Sequence, residues 1–466
     1  MIKKGLIILG FLLAVQLIAC GNVSSTTTGI VTCETPNVLI AGACVDENSE
    51  KITGLTFTLE ELQADYDQLI ELLDLHNPNA FTVQAEYDQA VLSQRALLQE
   101  GMSEIEFLRI LAPVVAAIRC GHTSVYVSSN SASILWSDAM LLPLDLRIID
   151  NRLYVVGNHF ATGIMLKSEI VTINGISSEE IISKMVQSLG SDGENQTMKY
   201  ARINNDVSFF YYLYVDTSLE LDVSYKEPGS STIITISLQA VSNTQIKDEI
   251  EYEEYVPYQS SFSENYAYLQ ISSFYPEGEY GLYDYFDFYE AFFEEVANQE
   301  IQNIILDLRG NSGGDPRTAS RLFSYLAKES QPYFSASSPN YYTGLKSDVP
   351  LTEPHFDGNL YTVINGECFS TTGHFLALLE YQDIGGFIGE ESGASFRCSD
   401  TSGDYILFNT GFRLHSSNVI WEVAVSGLEL GRGIMPDYEV SLSLDDIINN
   451  EDSILNYVIN LITESN

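Results

Sequence analysis

The stretch NIILDLRGNSGGDP, Asn303 to Pro316, decides how the second half of the chain is read. An apolar strand delivers Asp307-Leu308-Arg309, a glycine-rich turn follows, and Asp315-Pro316 opens a helix. Gly313 and Gly314 let the backbone approach a ligand closely and aim free amides into a cleft. A phosphate-binding loop fits poorly, because neither GxxxxGK[ST] nor GxGxxG is present. On spacing alone, a tight strand-to-helix turn without a ligand is the simpler reading.

Working outward, the same alternation continues. YAYLQISSF, IQNIILDLRG, NLYTVINGECF and IGGFIGEES read as strands, and DPRTASRLFSYLA and STTGHFLALLEYQ as helices. That order implies a largely parallel sheet with crossover helices. Upstream, LRIIDNRLYVV reads as two strands joined at Asp150-Asn151. EIVTINGISSEEIISKMVQSL reads as a strand, a tight turn at Asn174-Gly175 and a helix, and SLELDVSYKEPGSSTIITISL as a hairpin. Further upstream still, Leu59, Leu62, Tyr66, Leu69 and Leu73 recur at helical steps up to the HNPN turn. A second helix is expected over Glu86 to Gln99 and a third from Ser103 through Val115. These helices form either a domain or a helical hairpin packed on a larger sheet.

At 466 residues the chain exceeds one ordinary core, so two or three domains are expected. Its 22 basic and 64 acidic residues give a formal charge of −42, which repels phosphate backbones and anionic lipid and argues against nucleic-acid binding. The acid is scattered along the chain. A solvated surface is the simpler explanation, and attraction of cationic substrates the other.

The opening MIKKGLIILGFLLAVQLIACGN has a charged start, a short apolar run and a small residue before Cys20. Leu17 to Cys20 resembles a bacterial lipoprotein box, which implies cleavage before Cys20 and lipidation there. Export permits disulfides. Cys33 and Cys44 look like a local staple, and the pairing of Cys120, Cys368 and Cys398 is open. No cysteine or histidine cluster has metal-ligand spacing, so neither a metal nor a cofactor is expected.

CFSTTGHFLALL, Cys368 to Leu379, repeats the strand-to-helix architecture and puts Ser370 at a helix start, where unpaired amides and the positive dipole end converge. A serine helix cap is the commoner role for such a residue. A nucleophile needs a base, and no lysine lies between Ser370 and the chain end. His374, four residues on, shares a helix face with Ser370 but would have to reach back along it. His122, in RCGHTSVY, follows a helix and precedes a strand.

NIILDLRGNSGGDP, CFSTTGHFLALL, IGEESGAS and GRGIMPDYEV, in that order, resemble the S41 tail-specific peptidases. VTINGISSEEI is similar to the internal PDZ-like domain of that family, and AAIRCGHTSV to the histidine-bearing segment of its tricorn-like branch. The resemblance implies Ser370 as nucleophile and His122 as general base, with oxyanion donors among the amides of Gly313, Gly314 and Thr371. The lysine branch is disfavoured, since only Arg397 lies where its base would be, and arginine does not deprotonate. A glutamate often follows the nucleophile by three residues, but here Gly373 stands there. The orienting glutamate of the tricorn-like branch falls in register on Leu430, leaving Glu429, Ser124 and His374 as candidates around the base.

The expected protein is α/β and multidomain. A lipoprotein signal peptide (1–19) and a polar tether (20–54) precede an N-terminal helical domain carrying His122 (55–135). A PDZ-like domain (136–245) and a ClpP/crotonase-like α/β serine-peptidase domain (246–466) follow. The expected function is hydrolysis of extracytoplasmic polypeptides by a chain lipid-anchored to the cell envelope, periplasmic or at the cell surface. A binding protein on the same fold and an esterase are the alternatives.

Overall fold

The computed structural model describes residues 37–40, 43–46, 56–157, 160–249 and 255–465. The signal peptide, Cys20 and Cys33 lie outside what is described, and with Cys33 so does the expected staple to Cys44.

Helix α1 (Leu59–His76) starts where Thr58 and Glu61 cap each other's backbone amides, and it buries Leu62, Tyr66, Leu69 and Leu73. Helix α2 (Gln84–Arg95) ends four residues short of the expected Gln99. Helix α3 (Glu104–Ala116) opens on a second capping box, Ser103 with Glu106. The core under these helices also contains Leu407, Phe412 and Leu414 from far downstream. The helical segment therefore shares its core with the C-terminal part of the chain, and Leu213 and Tyr214 of the middle segment pack against it. Strand β1 (Ser124–Tyr126) follows, just beyond His122.

The middle segment is an antiparallel sheet of β2 (Asp145–Ile149), β3 (Arg152–Gly157), β4 (Glu169–Ile173), β5 (Glu220–Lys226) and β6 (Ile233–Gln239), in the order β6-β5-β4-β3-β2 along its main path. Both expected turns form, with positive φ at Asp150, Asn151, Asn174 and Gly175 as a two-residue hairpin turn requires. Helix α4 (Ser178–Gln187) packs on this sheet. Two further helices, α5 (Thr197–Asn205) and α6 (Val207–Tyr214), leave no periodic trace: TMKYARINN buries only Met198 and Ile203, and VSFFYYLY is apolar or aromatic almost all round.

The C-terminal segment is built on a six-stranded sheet. Strand β7 (Tyr258–Phe262) pairs antiparallel with β8 (Ala267–Ile271). After helix α7 (Leu282–Asn298), β9 (Asn303–Asp307) joins β8 in parallel. Helix α8 (Pro316–Leu326) leads on toward β10 (Asn359–Ile364), and α9 (Thr371–Tyr381) toward β11 (Gly386–Gly389). Two short antiparallel ladders then intervene. One pairs β12 (Arg397–Asp400) with β15 (Val419–Glu422), and the other pairs β13 (Gly403–Ile406) with β14 (Arg413–Ser416). Strand β16 (Tyr438–Glu439) completes the main sheet, which runs β7-β8-β9-β10-β11-β16.

Parallel strands with both faces covered alternate their burial. Ile304, Leu306, Leu360 and Ile364 face the core that holds α7, α8 and α9. Ile305, Val363 and Ile388 face Ile454, Val458 and Ile462 of helix α10 (Ser453–Ser465). Arg309 clamps this second face by bridging buried Asp307 to Asp452 at 2.6 Å each.

Candidate active site

Strands β9 and β10 are hydrogen-bonded neighbours, with Asp307 opposite Val363. The loops leaving their carboxyl ends therefore meet, in the crevice where open α/β sheets bind ligands. One loop carries Gly313-Gly314 and the other Ser370. Asn311, fully buried, ties them together. Its carbonyl accepts from the Phe369 amide at 3.1 Å, and its Oδ1 accepts from the Thr372 hydroxyl at 2.7 Å and the Gly313 amide at 3.0 Å. The Thr371 hydroxyl donates to the Gly314 carbonyl at 2.6 Å. Both glycines are required here. Their φ angles are +108° and +139°, and a Cβ on Gly314 would sit 2.3 Å from the Phe274 backbone.

Ser370 is not a cap. Its φ of +55° and ψ of −123° are strained for a residue with a Cβ, and its side chain makes no capping bond to α9. The hydroxyl instead meets Nε2 of His122 at 3.0 Å. Among the described residues, neither the Gly314 nor the Thr371 amide has an acceptor, so these two donors stand free beside the hydroxyl, whereas the Gly313 amide is committed to Asn311.

His122 arrives from 248 residues upstream and is held by every segment of the fold. Strand β1 adds to the β13–β14 ladder, with Ser124 opposite His415. Asn77 of the HNPN turn donates to Thr123 at 3.0 Å and Ser417 at 3.2 Å. From the middle segment, Asp192 accepts the Gly121 amide at 2.8 Å, and Arg202 donates to the Gly121 carbonyl at 3.4 Å. The imidazole packs on Phe369, the residue before the serine, with ring centroids 4.4 Å apart. Gly121 lies so close to that ring that a Cβ would sit 2.6 Å from it.

Burial pushes the pKa of His122 below its usual value; Arg202 and His415 add to this, and Asp400 opposes it. The imidazole is therefore a neutral base. Its Nδ1 is buried without a partner, so none of the candidates for an orienting group reaches it. Glu429 is exposed in the loop before β16, where its charge acts on Arg432. Ser124 opens β1 and makes no bond to the ring. His374 lines the cleft beside Ser370, with Nε2 3.5 Å from Cys398 Sγ, and burial drives its pKa down to about 3. Cys120, Cys368 and Cys398 are all free and buried. Asn311, Asp192 and Arg202 escaped the reading of the sequence: Asn311 sits within the quoted turn, but nothing in its spacing separates it from an ordinary turn residue.

Residues 265–440, from β8 to β16, match the family model described as peptidase family S41. That segment of the chain is similar to the S41 peptidases, and the match supports a serine peptidase. Two solved structures share its fold over most of its length. Mature CPAF has a TM-score of 0.63 and 12% identity, covering 87% of this chain and 96% of that one. Mature CPAF complexed with lactacystin has a TM-score of 0.62 and 12% identity, covering 87% and 98% respectively. No curated protein matches the sequence. The family match includes Ser370 and the glycine turn but begins well downstream of His122, which the three-dimensional arrangement brings to the serine.

Proposed function

We propose that this chain is a serine peptidase that cleaves peptide bonds through an acyl-enzyme on Ser370, with His122 as general base. The observation that carries the proposal is the 3.0 Å contact between His122 Nε2 and the hydroxyl of a backbone-strained serine. Neutral His122 takes the hydroxyl proton as Oγ bonds to the carbonyl carbon, and the carbonyl oxygen gains charge opposite the free Gly314 and Thr371 amides. The imidazolium then gives its proton to the amine as the C–N bond breaks. In the second half, water attacks the ester, His122 takes its proton, and Ser370 is released with the carboxylic acid. Removing one oxyanion donor typically costs about 10²–10³ in rate.

The lipoprotein box supports export and anchoring through Cys20, which would place substrates among extracytoplasmic polypeptides. The segment 136–245 would present an extended substrate end, since β6 lies at an edge of its sheet where a strand can add. A fluorophosphonate probe tests the chemistry. Labelling at Ser370 that is lost in Ser370→Ala and weakened in His122→Ala supports it. Labelling that depends on His374 instead would overturn the assignment of the base. Lipid labelling lost in Cys20→Ala tests the anchor.

A further inference from the structure

We propose that the cleft beside Ser370 is a subsite for a cationic side chain, an arginine or lysine next to the scissile bond, with Asp400 as its counter-charge. This rests on the peptidase reading of Ser370.

The cleft has a volume of about 410 Å³, and its lining includes Ser370, Asp400, Phe334, Tyr341, Tyr342 and Trp421. Its position follows from the two short ladders. Strand β12 ends at Asp400, and its pairing with β15 sets Trp421 opposite Cys398, two residues before Asp400. The Trp421 ring lies 5.0 Å from Phe334, 5.7 Å from Tyr342 and 6.1 Å from Tyr341, and its indole N–H donates to Thr401 at 3.0 Å. One wall of the cleft is therefore a fixed group of aromatic rings.

Asp400 is the exception in that lining. Its Oδ1 accepts from the Ser402 hydroxyl at 3.3 Å, and among the described residues it has no ion pair. The cations on surrounding elements are engaged elsewhere: Arg317 with Asp315, Arg397 with Glu422, and Lys346 with the Ser338 carbonyl and Asn340. Asp400 raises the pKa of both His122 and His374, so its charge is felt at the base and at the neighbouring cleft histidine.

An occupant of this cleft displaces the water around Asp400. An apolar side chain would leave the carboxylate desolvated and unpaired, and an acidic one would repel it. An arginine or lysine meets both demands. Its methylene stem lies on the rings, its charge faces their π-electrons, and its N–H groups reach the carboxylate. The −42 charge of the chain works the same way at long range.

The test uses the full chain and four peptides identical except for the residue preceding the cut: Lys, Arg, Leu or Glu. The wild type is expected to favour Lys or Arg over Leu by about 10- to 100-fold in kcat/KM. Asp400→Asn should abolish that preference, and Asp400→Lys should shift it toward Glu. Fluorophosphonate labelling of Ser370 in each variant reports that the site is folded. A wild type that prefers Leu overturns the proposal. So does an Asp400→Asn variant that loses the same factor on all four peptides, because Asp400 would then act only through the charge on His122. If the wild type neither labels nor cleaves any peptide, the peptidase reading itself fails.

Discussion

The nucleophile and its base are held in opposite ways. Ser370 sits on a platform made by two neighbouring strands, and one buried side chain, Asn311, stitches both loops together. His122 belongs to no sheet of its own. It is fixed by a ladder to the C-terminal segment, by Asn77 from the helices, and by Asp192 and Arg202 from the middle segment. The first arrangement is local and over-determined, while the second depends on three segments being docked together. Damage to the platform should therefore cost stability and activity together, and damage around His122 should cost activity first.

The largest effect comes from removing either reacting group. Ser370→Ala or His122→Ala should lower kcat by on the order of 10⁴–10⁶, with the thermal transition close to that of the parent. A His122→Ala variant that keeps more than a tenth of the parent's turnover would show that the base lies elsewhere.

Next is the platform. Asn311→Ala leaves the Thr372 hydroxyl and the Ile271 carbonyl buried without their partner. A stability loss of about 3 kcal/mol is expected, together with a fall in kcat of about 10²–10³ as the neighbouring oxyanion donors lose their support. Unfolding in urea measures the first quantity and steady-state hydrolysis the second. A large loss of stability at unchanged kcat would separate the platform from the chemistry.

A clash on the other side should look different. The Cβ of Gly121→Ala meets the Phe369 ring, on which the imidazole packs. A displacement of even 1 Å between His122 and Ser370 is expected to cost about 10² in kcat, with a stability change of only about 1–3 kcal/mol. Equal sensitivity of Asn311 and Gly121 in both measurements would erase the contrast drawn above.

The same contrast explains what the sequence reveals and what it hides. The strands, the glycine turn and the Ser370 loop are legible because adjacent parallel strands put their following loops side by side. Pattern and order alone therefore relate the glycine turn to the Ser370 loop, while Thr371 as a donor is implied by the family resemblance. The assignment of His122 came from family resemblance, since no local pattern relates residues so far apart. Glu429 failed as its partner because counting back from a motif measures chain length, not distance. Its loop runs out to solvent, and the ring nitrogen it was expected to meet is buried and unpaired. Helix α5, which brings Arg202 to the site, stays hidden because it is short and mostly polar with only Met198 and Ile203 buried, and α6 because its apolar residues fall on nearly every face.

The smallest effect is electrostatic, and it probes the docked side of the comparison without breaking it. His122 must be neutral to accept the serine proton, so activity is lost as pH falls through its pKa. That pKa is already depressed, by burial first and then by the charge on Arg202. Removing that charge in Arg202→Gln weakens the opposition to protonation, so the pKa rises and the acidic limb of kcat/KM moves to higher pH. Removing the carboxylate in Asp400→Asn takes away the one influence that favours the imidazolium, so the limb moves to lower pH. Two shifts of opposite sign, each within about one pH unit, are expected from full pH profiles. Shifts in the same direction would mean that the substitutions act by loosening the docking around His122 rather than through their charge.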